Sequence, residues 1–155
     1  MSTLRVTLSA TETSFSVDDQ AGVMPVGPAT LLRELHHDPP WAEELTNAVG
    51  WVLDHMEDVE REVPGCMWAD RIELCGGGVD VIAAVEAGAV AVLPFELSRE
   101  AAEDVYRTMV TESDADRAHN PGLPAEVVHD VLGVACEVVA LMRFLRATSV
   151  WVVSA

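Results

Sequence analysis

The chain has 155 residues, half of them hydrophobic, which suits one domain with a sizeable core and leaves little room for a second. Asp and Glu number 26 against nine Arg and no Lys, giving a formal net charge of −17 and an isoelectric point near 4.4. Such a surface repels nucleic acid and anionic membranes, and the lack of Lys excludes a Walker-type phosphate lysine, a Schiff-base lysine and a pyridoxal anchor.

In chain order, Leu4 to Leu8, Ser14 to Asp18 and Val23 to Val26 are short β-prone runs joined by turn residues, and they read as a meander of antiparallel strands. Gly27-Pro28 punctuates, Ala29 to Leu35 has room for two helical turns, and His36-His37-Asp38-Pro39-Pro40 stops them. Asp38 is placed to cap the next helix, with Pro40 in its first turn. From Trp41 to Val63 apolar residues (Trp41, Leu45, Ala48, Val49, Val52, Met56, Val59) recur at helical spacing, with acidic residues mostly opposite. Pro64-Gly65 ends that helix. Arg71 to Glu86 then reads as strand, glycine turn at Gly76-Gly77-Gly78, and Ala-rich helix. Ala89 to Phe95 is irregular and apolar. Ser98 caps a helix to about Val110, with Ala101 as its N3 residue, and Ser113 caps a short turn through Arg117. After Asn120-Pro121-Gly122-Leu123-Pro124, the spacing predicts a long helix from Ala125 to Arg146. It is apolar on almost every side and so needs several neighbours. Ser149 to Val153 is a final strand.

Cys66, Cys75 and Cys136 are unclustered and lie in or beside apolar runs, the pattern of buried free thiols in a reducing compartment. The sequence opens without a charged-then-apolar leader. Its longest apolar region is interrupted by His129, Asp130, Glu137 and Arg143. A cytoplasmic protein is the expectation.

The glycine turn is the one stretch with a phosphate-site pattern, because bare backbone N–H groups and a helix N-terminus can face an anion there. Gly76, Gly77, Gly78 and Asp80 are therefore the candidate ligand-binding residues. A tight strand-to-helix reversal needs glycines as well. His36, His37 and Asp38 with His55 or His119 lack metal-ligand spacing, and no metal site is expected. Glu12 or Glu73 with Asp80 forms an acid and base pair only if the fold joins them. No G-x-S-x-G, no partnered catalytic Cys and no dinucleotide fingerprint is present. Trp41, Trp51, Trp68 and Trp151 read as core or interface anchors.

Three meandering strands followed by alternating helix and strand is the order of an actin-like, ribonuclease-H-like half domain, an α/β fold with a mixed five-stranded sheet and helices on both faces. The residues also carry a resemblance over nearly the whole length. Gly76 to Ala84 is similar to a G-G-T-x-T-T-L-A-A segment. Asp38-Pro39-Pro40 with Glu43-Glu44-Leu45 is similar to an acidic-Pro-Pro helix junction. Leu97-Ser98 and Ser113 to Arg117, followed by Gly122-Leu123, match an L-S helix and an S-x-x-x-R element. Asp130-Val131-Leu132 and Val150 to Ser154 match a closing helix and strand. Together they resemble the second domain of the exopolyphosphatase and guanosine-pentaphosphate phosphatase (Ppx/GppA) family.

The departures bear on function. The family's first phosphate loop, of the type D-I-G-G-G-S-T-E, falls on Thr7 to Ser14, where every glycine is replaced and Glu12 adds a negative charge. In the second loop the family's Thr hydroxyls become Gly78, Asp80 and Val81. The resemblance places the catalytic Glu in a first domain outside these residues, and a covering helix beyond Val153, so an apolar face near Val150 to Val153 is expected to need a cover. It implies a degenerate, non-catalytic binding, regulatory or oligomerisation module, without cofactor, pairing with itself or another protein. The alternative is an exopolyphosphatase or (p)ppGpp-type phosphatase whose cleft forms between two copies, with Gly76 to Gly78 as backbone donors and Mg masking the acidic surface.

Overall fold

The strands follow from alternation. In β1 (Thr3–Leu8) the side chains of Leu4, Val6 and Leu8 are buried, and in β2 (Thr13–Val17) those of Thr13, Phe15 and Val17, while Arg5, Ser14 and Ser16 face out. The computed structural model describes residues 1–155. β1 pairs antiparallel with β2, which pairs antiparallel with β3 (Gln20–Met24). On its other side β1 runs parallel to β4 (Arg71–Gly76), and β4 runs parallel to β6 (Ser149–Val152).

A sixth strand completes the sheet. β5 (Phe95–Ser98) lies antiparallel along β6, giving the order β3-β2-β1-β4-β6-β5. The expected sheet had five strands and left Phe95 in an irregular segment. A strand of four residues has too little alternation to announce itself, and it exists because β6 supplies its hydrogen bonds. Ser98 ends β5 and caps α4 (Arg99–Thr111), its hydroxyl accepting from the Ala101 N–H at 3.0 Å as expected.

The remaining helices are α1 (Pro28–Leu32), α2 (Ala42–Glu62), α3 (Val79–Ala87), α5 (Asp114–Arg117) and α6 (Val131–Phe144). In α6 every residue from Val131 to Met142 is buried, and α1, α2, α3 and α4 all pack around it. That meets the expectation of several neighbours. Helices on both sheet faces were also expected, but they gather on one. The parallel crossover from β3 to β4, through α1 and α2, and the path from β4 on to β6 step in the same direction across the sheet, and right-handed crossovers then put their helices on one side.

The opposite face is open and mostly polar. Glu73 pairs with Arg5 at 3.3 Å and with Arg71 at 3.0 Å, and the Arg71 guanidinium lies over the Trp151 ring, 4.5 Å from its centroid. Val150 and Val152 turn into the core and Trp151 and Val153 outward, so the run near the last strand is not an uncovered apolar face. No tryptophan is a core residue: Trp68 is 81% exposed and Trp41 54%. The three cysteines are buried and free.

Two further expectations change. The long helix from Ala125 begins only at Val131, after a 3₁₀ turn at Ala125–Val127. There the buried Arg117 captures the Val128 carbonyl at 2.7 Å, and also serves the carbonyls of Met109 and Glu112 and the carboxylates of Asp114 and Asp38. Asp38 does not cap α2. Its carboxylate accepts from the Asp114 N–H at 3.0 Å, at the start of α5. The α2 entry is held instead by Glu44, which accepts from the N–H groups of His36 and Trp41 at 2.7 and 2.9 Å. Burial opposes its charge, yet those N–H groups and His37 hold the Glu44 carboxyl below its ordinary value.

Candidate functional site

In open α/β sheets ligands sit in the crevice outside the carboxyl ends of parallel strands. Here β1 and β4 end side by side, with Leu8 opposite Gly76. The Ser9–Glu12 turn leaves β1, and the glycine turn leaves β4.

The glycine turn is left-handed throughout, with φ of +74° at Gly76, +57° at Gly77 and +87° at Gly78, a run that other residues rarely adopt. A Cβ at Gly77 would lie 2.5 Å from that of Leu8, so the glycine turn packs directly against the end of β1. Gly78 is the N-cap of α3. The N–H groups of Gly77 and Gly78 donate to no protein group, and the first turn of α3 adds helix-end donors beside them. Asp80, also in that first turn, is exposed and puts a carboxylate at the same positive helix end.

The first turn is closed on itself. The Ser9 N–H donates to the Glu12 carbonyl at 2.8 Å, and the Ala10 carbonyl accepts from the Ala29 N–H at 2.8 Å. Gly27, before α1, packs so closely that a Cβ would lie 2.2 Å from the Ser9 carbonyl oxygen. Between the two turns, α1 and the start of α6 lies a cleft of about 300 Å3. Ala10, Pro28, Ala29, Leu32 and Val134 give it an apolar lining, Gly77 contributes backbone, and Asp130 is its one charged residue. No arginine reaches it.

Of the candidate residues, Gly77 lines the cleft, while Gly76 and Gly78 shape the turn behind it and Asp80 lies outside. Glu73 does not meet Asp80, because it is turned to the open face between Arg5 and Arg71. His37 stacks on Trp41 with centroids 3.4 Å apart and lies 3.2 Å from Glu44, and His55 stacks on Trp51. No grouping of His, Cys, Asp and Glu is arranged to hold a metal.

Sequence reasoning missed Asp130 as a cleft residue and missed a buried pair beneath it. Glu137, one turn along α6 from Val134, is fully buried. Its Oε2 lies 2.5 Å from the Thr13 hydroxyl oxygen, which is itself 2.8 Å from the Val26 carbonyl, and Oε1 has no partner. Burial pushes the Glu137 carboxyl up to about 8, against the lowering effect of Thr13. The one carboxylate in a helix that is apolar but for Arg143 in its last turn was the available signal.

This sheet order and helix placement define an actin-like α/β half domain. Solved structures place it further. An exopolyphosphatase-like protein superposes with a TM-score of 0.90 at 21% identity, over 98% of this chain and 55% of that one. The Ppx/GppA enzyme of Aquifex aeolicus gives 0.86 at 14% identity, over 99% and 54%. An exopolyphosphatase from Cytophaga hutchinsonii gives 0.74 at 14% identity, over 99% and 53%. The fold is thus that of one half of the Ppx/GppA proteins, and the chain spans about half the length of each structure. No family model and no curated protein matches it.

Proposed function

We propose that the chain is a non-catalytic, degenerate Ppx/GppA-like module that acts in the cytoplasm by binding a second copy of itself or another protein, without a cofactor. One observation carries this reading: the cleft at the strand ends, where phosphate would have to sit, contains Asp130 and no cation. The stitched first turn supports it, since its backbone is already hydrogen-bonded within the protein. The experiment is solution mass by light scattering at low and high salt. A dimer or larger assembly supports a self-pairing module, whereas a monomer in both conditions moves the search to a different protein. Hydrolysis of polyphosphate by the chain would end the reading.

A second reading is favoured by the unused N–H groups of Gly77 and Gly78. In it, two copies form one cleft, and the glycine turn of each binds the phosphates of an exopolyphosphatase or (p)ppGpp-type substrate. One copy assembles no carboxylate group for a divalent ion, so Mg would arrive bound to the phosphates. This reading requires a dimer and requires that Gly77→Asp abolish ligand binding.

A further inference from the structure

We propose that the contact between Thr13 and Glu137 is a proton-held clasp, which ties α6 to the foot of the Ser9–Glu12 turn and to the entry of α1, and which releases that corner of the cleft when its proton leaves. The inference does not depend on what the cleft binds.

Hydrogen counting leads to the proton. A threonine hydroxyl carries one hydrogen, and here two acceptors face it, the Val26 carbonyl at 2.8 Å and Glu137 Oε2 at 2.5 Å. With Glu137 ionised, the hydroxyl serves one and abandons the other, although neither Thr13 nor Glu137 reaches solvent. With Glu137 protonated, Oε2–H donates to the Thr13 oxygen and the hydroxyl donates to Val26, so both contacts are satisfied. The unpartnered Oε1 is then a neutral carbonyl oxygen, which costs far less to bury than a carboxylate.

No countercharge holds the ionised form in place. β2 and α1 carry no ionisable side chain, and the residues that β1, β4 and β6 turn toward α6 are apolar. On α2 the buried Glu44 is engaged by His36, His37 and Trp41. On α3 Asp80 is exposed, and on α4 Glu103 pairs with Arg143, which also faces Tyr106. Next to Glu137 the buried Cys136 thiol is pushed up to about 12 and stays neutral.

The clasp joins the segments that bound the cleft. Thr13 ends the Ser9–Glu12 turn, Val26 leads through Gly27 to Pro28 and Ala29, and Val134 lines the cleft one turn before Glu137. In an opened clasp Glu137 reaches water and regains an ordinary carboxylate value, while the closed clasp holds its proton up to about 8. Closure is therefore complete below the ordinary value, weakens as pH rises toward 8, and changes no further above it.

Amide exchange on the full chain, followed by NMR across pH, tests this. Protection of the Ala29 N–H, corrected for intrinsic exchange, is expected to fall about tenfold per unit between about pH 5.5 and 7.5 and to level off above about 8. The Leu141 N–H in mid α6 should keep its protection. In Glu137→Gln, whose amide can still donate to Thr13, the Ala29 dependence should vanish. A pH-independent Ala29, an equal fall at Leu141, or a dependence that survives in Glu137→Gln would each overturn the clasp. If that variant fails to fold, Thr13→Val serves: it removes the hydroxyl through which the proton acts, so the pH dependence of Ala29 should be lost there too, and a dependence that survives would refute the coupling.

Discussion

Two turns lie side by side at the carboxyl ends of β1 and β4, and they differ in what their backbone groups do. The Ser9–Glu12 turn spends its groups internally, on Ser9 to Glu12 and on Ala29, with Gly27 pressed against it. The Gly76–Gly78 turn keeps three left-handed residues, and leaves the N–H groups of Gly77 and Gly78 without a protein partner. One turn has become part of the scaffold, and the other retains the shape of a ligand loop beside a cleft that has no cation. The two turns thus differ in their free backbone donors and in their surroundings, on one and the same sheet.

The comparison can be broken most strongly through the base of the first turn. Because Glu137 binds its proton more tightly folded than unfolded, stability should fall as pH rises from its ordinary value toward 8, by up to about 1.4 kcal/mol per unit. Urea unfolding across pH checks this, and Glu137→Gln should remove the slope. Glu44 and Asp70 act in the opposite sense. For Asp70, the Ser2 backbone N–H holds the carboxyl below its ordinary value, and burial holds up Glu44 less than its N–H donors lower it. Their contributions are lost only as pH falls below the ordinary carboxylate range, so stability should peak near the lower edge of the Glu137 window.

Gly27→Ala comes next, since its methyl group would meet two backbone carbonyls that cannot swing away. A loss of about 3 kcal/mol is expected from denaturant unfolding. Gly77→Ala sharpens the contrast. It must bear a left-handed φ and a contact with the Leu8 side chain, and about 1–2 kcal/mol should be lost. Asp130→Asn should change stability by less than about 0.5 kcal/mol, because the residue is exposed and its side chain makes no hydrogen bond or ion pair. Removing that charge should nevertheless make the cleft more receptive to inorganic phosphate than the parent, read by chemical-shift titration at Gly77 and Gly78.

What was legible in the sequence was local. Ser98 and Ser113 cap their helices because a hydroxyl reaches N–H groups only three residues on. The strand, glycine turn and helix from Arg71 to Ala87 were readable because glycine run and apolar periodicity coincide. The failures were long-range. β5 needs β6, more than fifty residues later, for its partners. Asp38 looked like a cap for the next helix and instead reaches Asp114, 76 positions away. The Thr13 and Glu137 pair spans 124 positions, and only the anomaly of one acid in an apolar helix marked it. The late start of α6 depends on Arg117, whose burial no local pattern showed.

On the proposed function, this half domain keeps the frame of the Ppx/GppA fold without its phosphate chemistry. Phosphate release from polyphosphate, measured with the purified chain in excess Mg, tests it most directly. The expected result is release no faster than in buffer, at any chain concentration and salt. Release that grows with chain concentration and disappears in Gly77→Asp would contradict the account and establish a working site at the glycine turn.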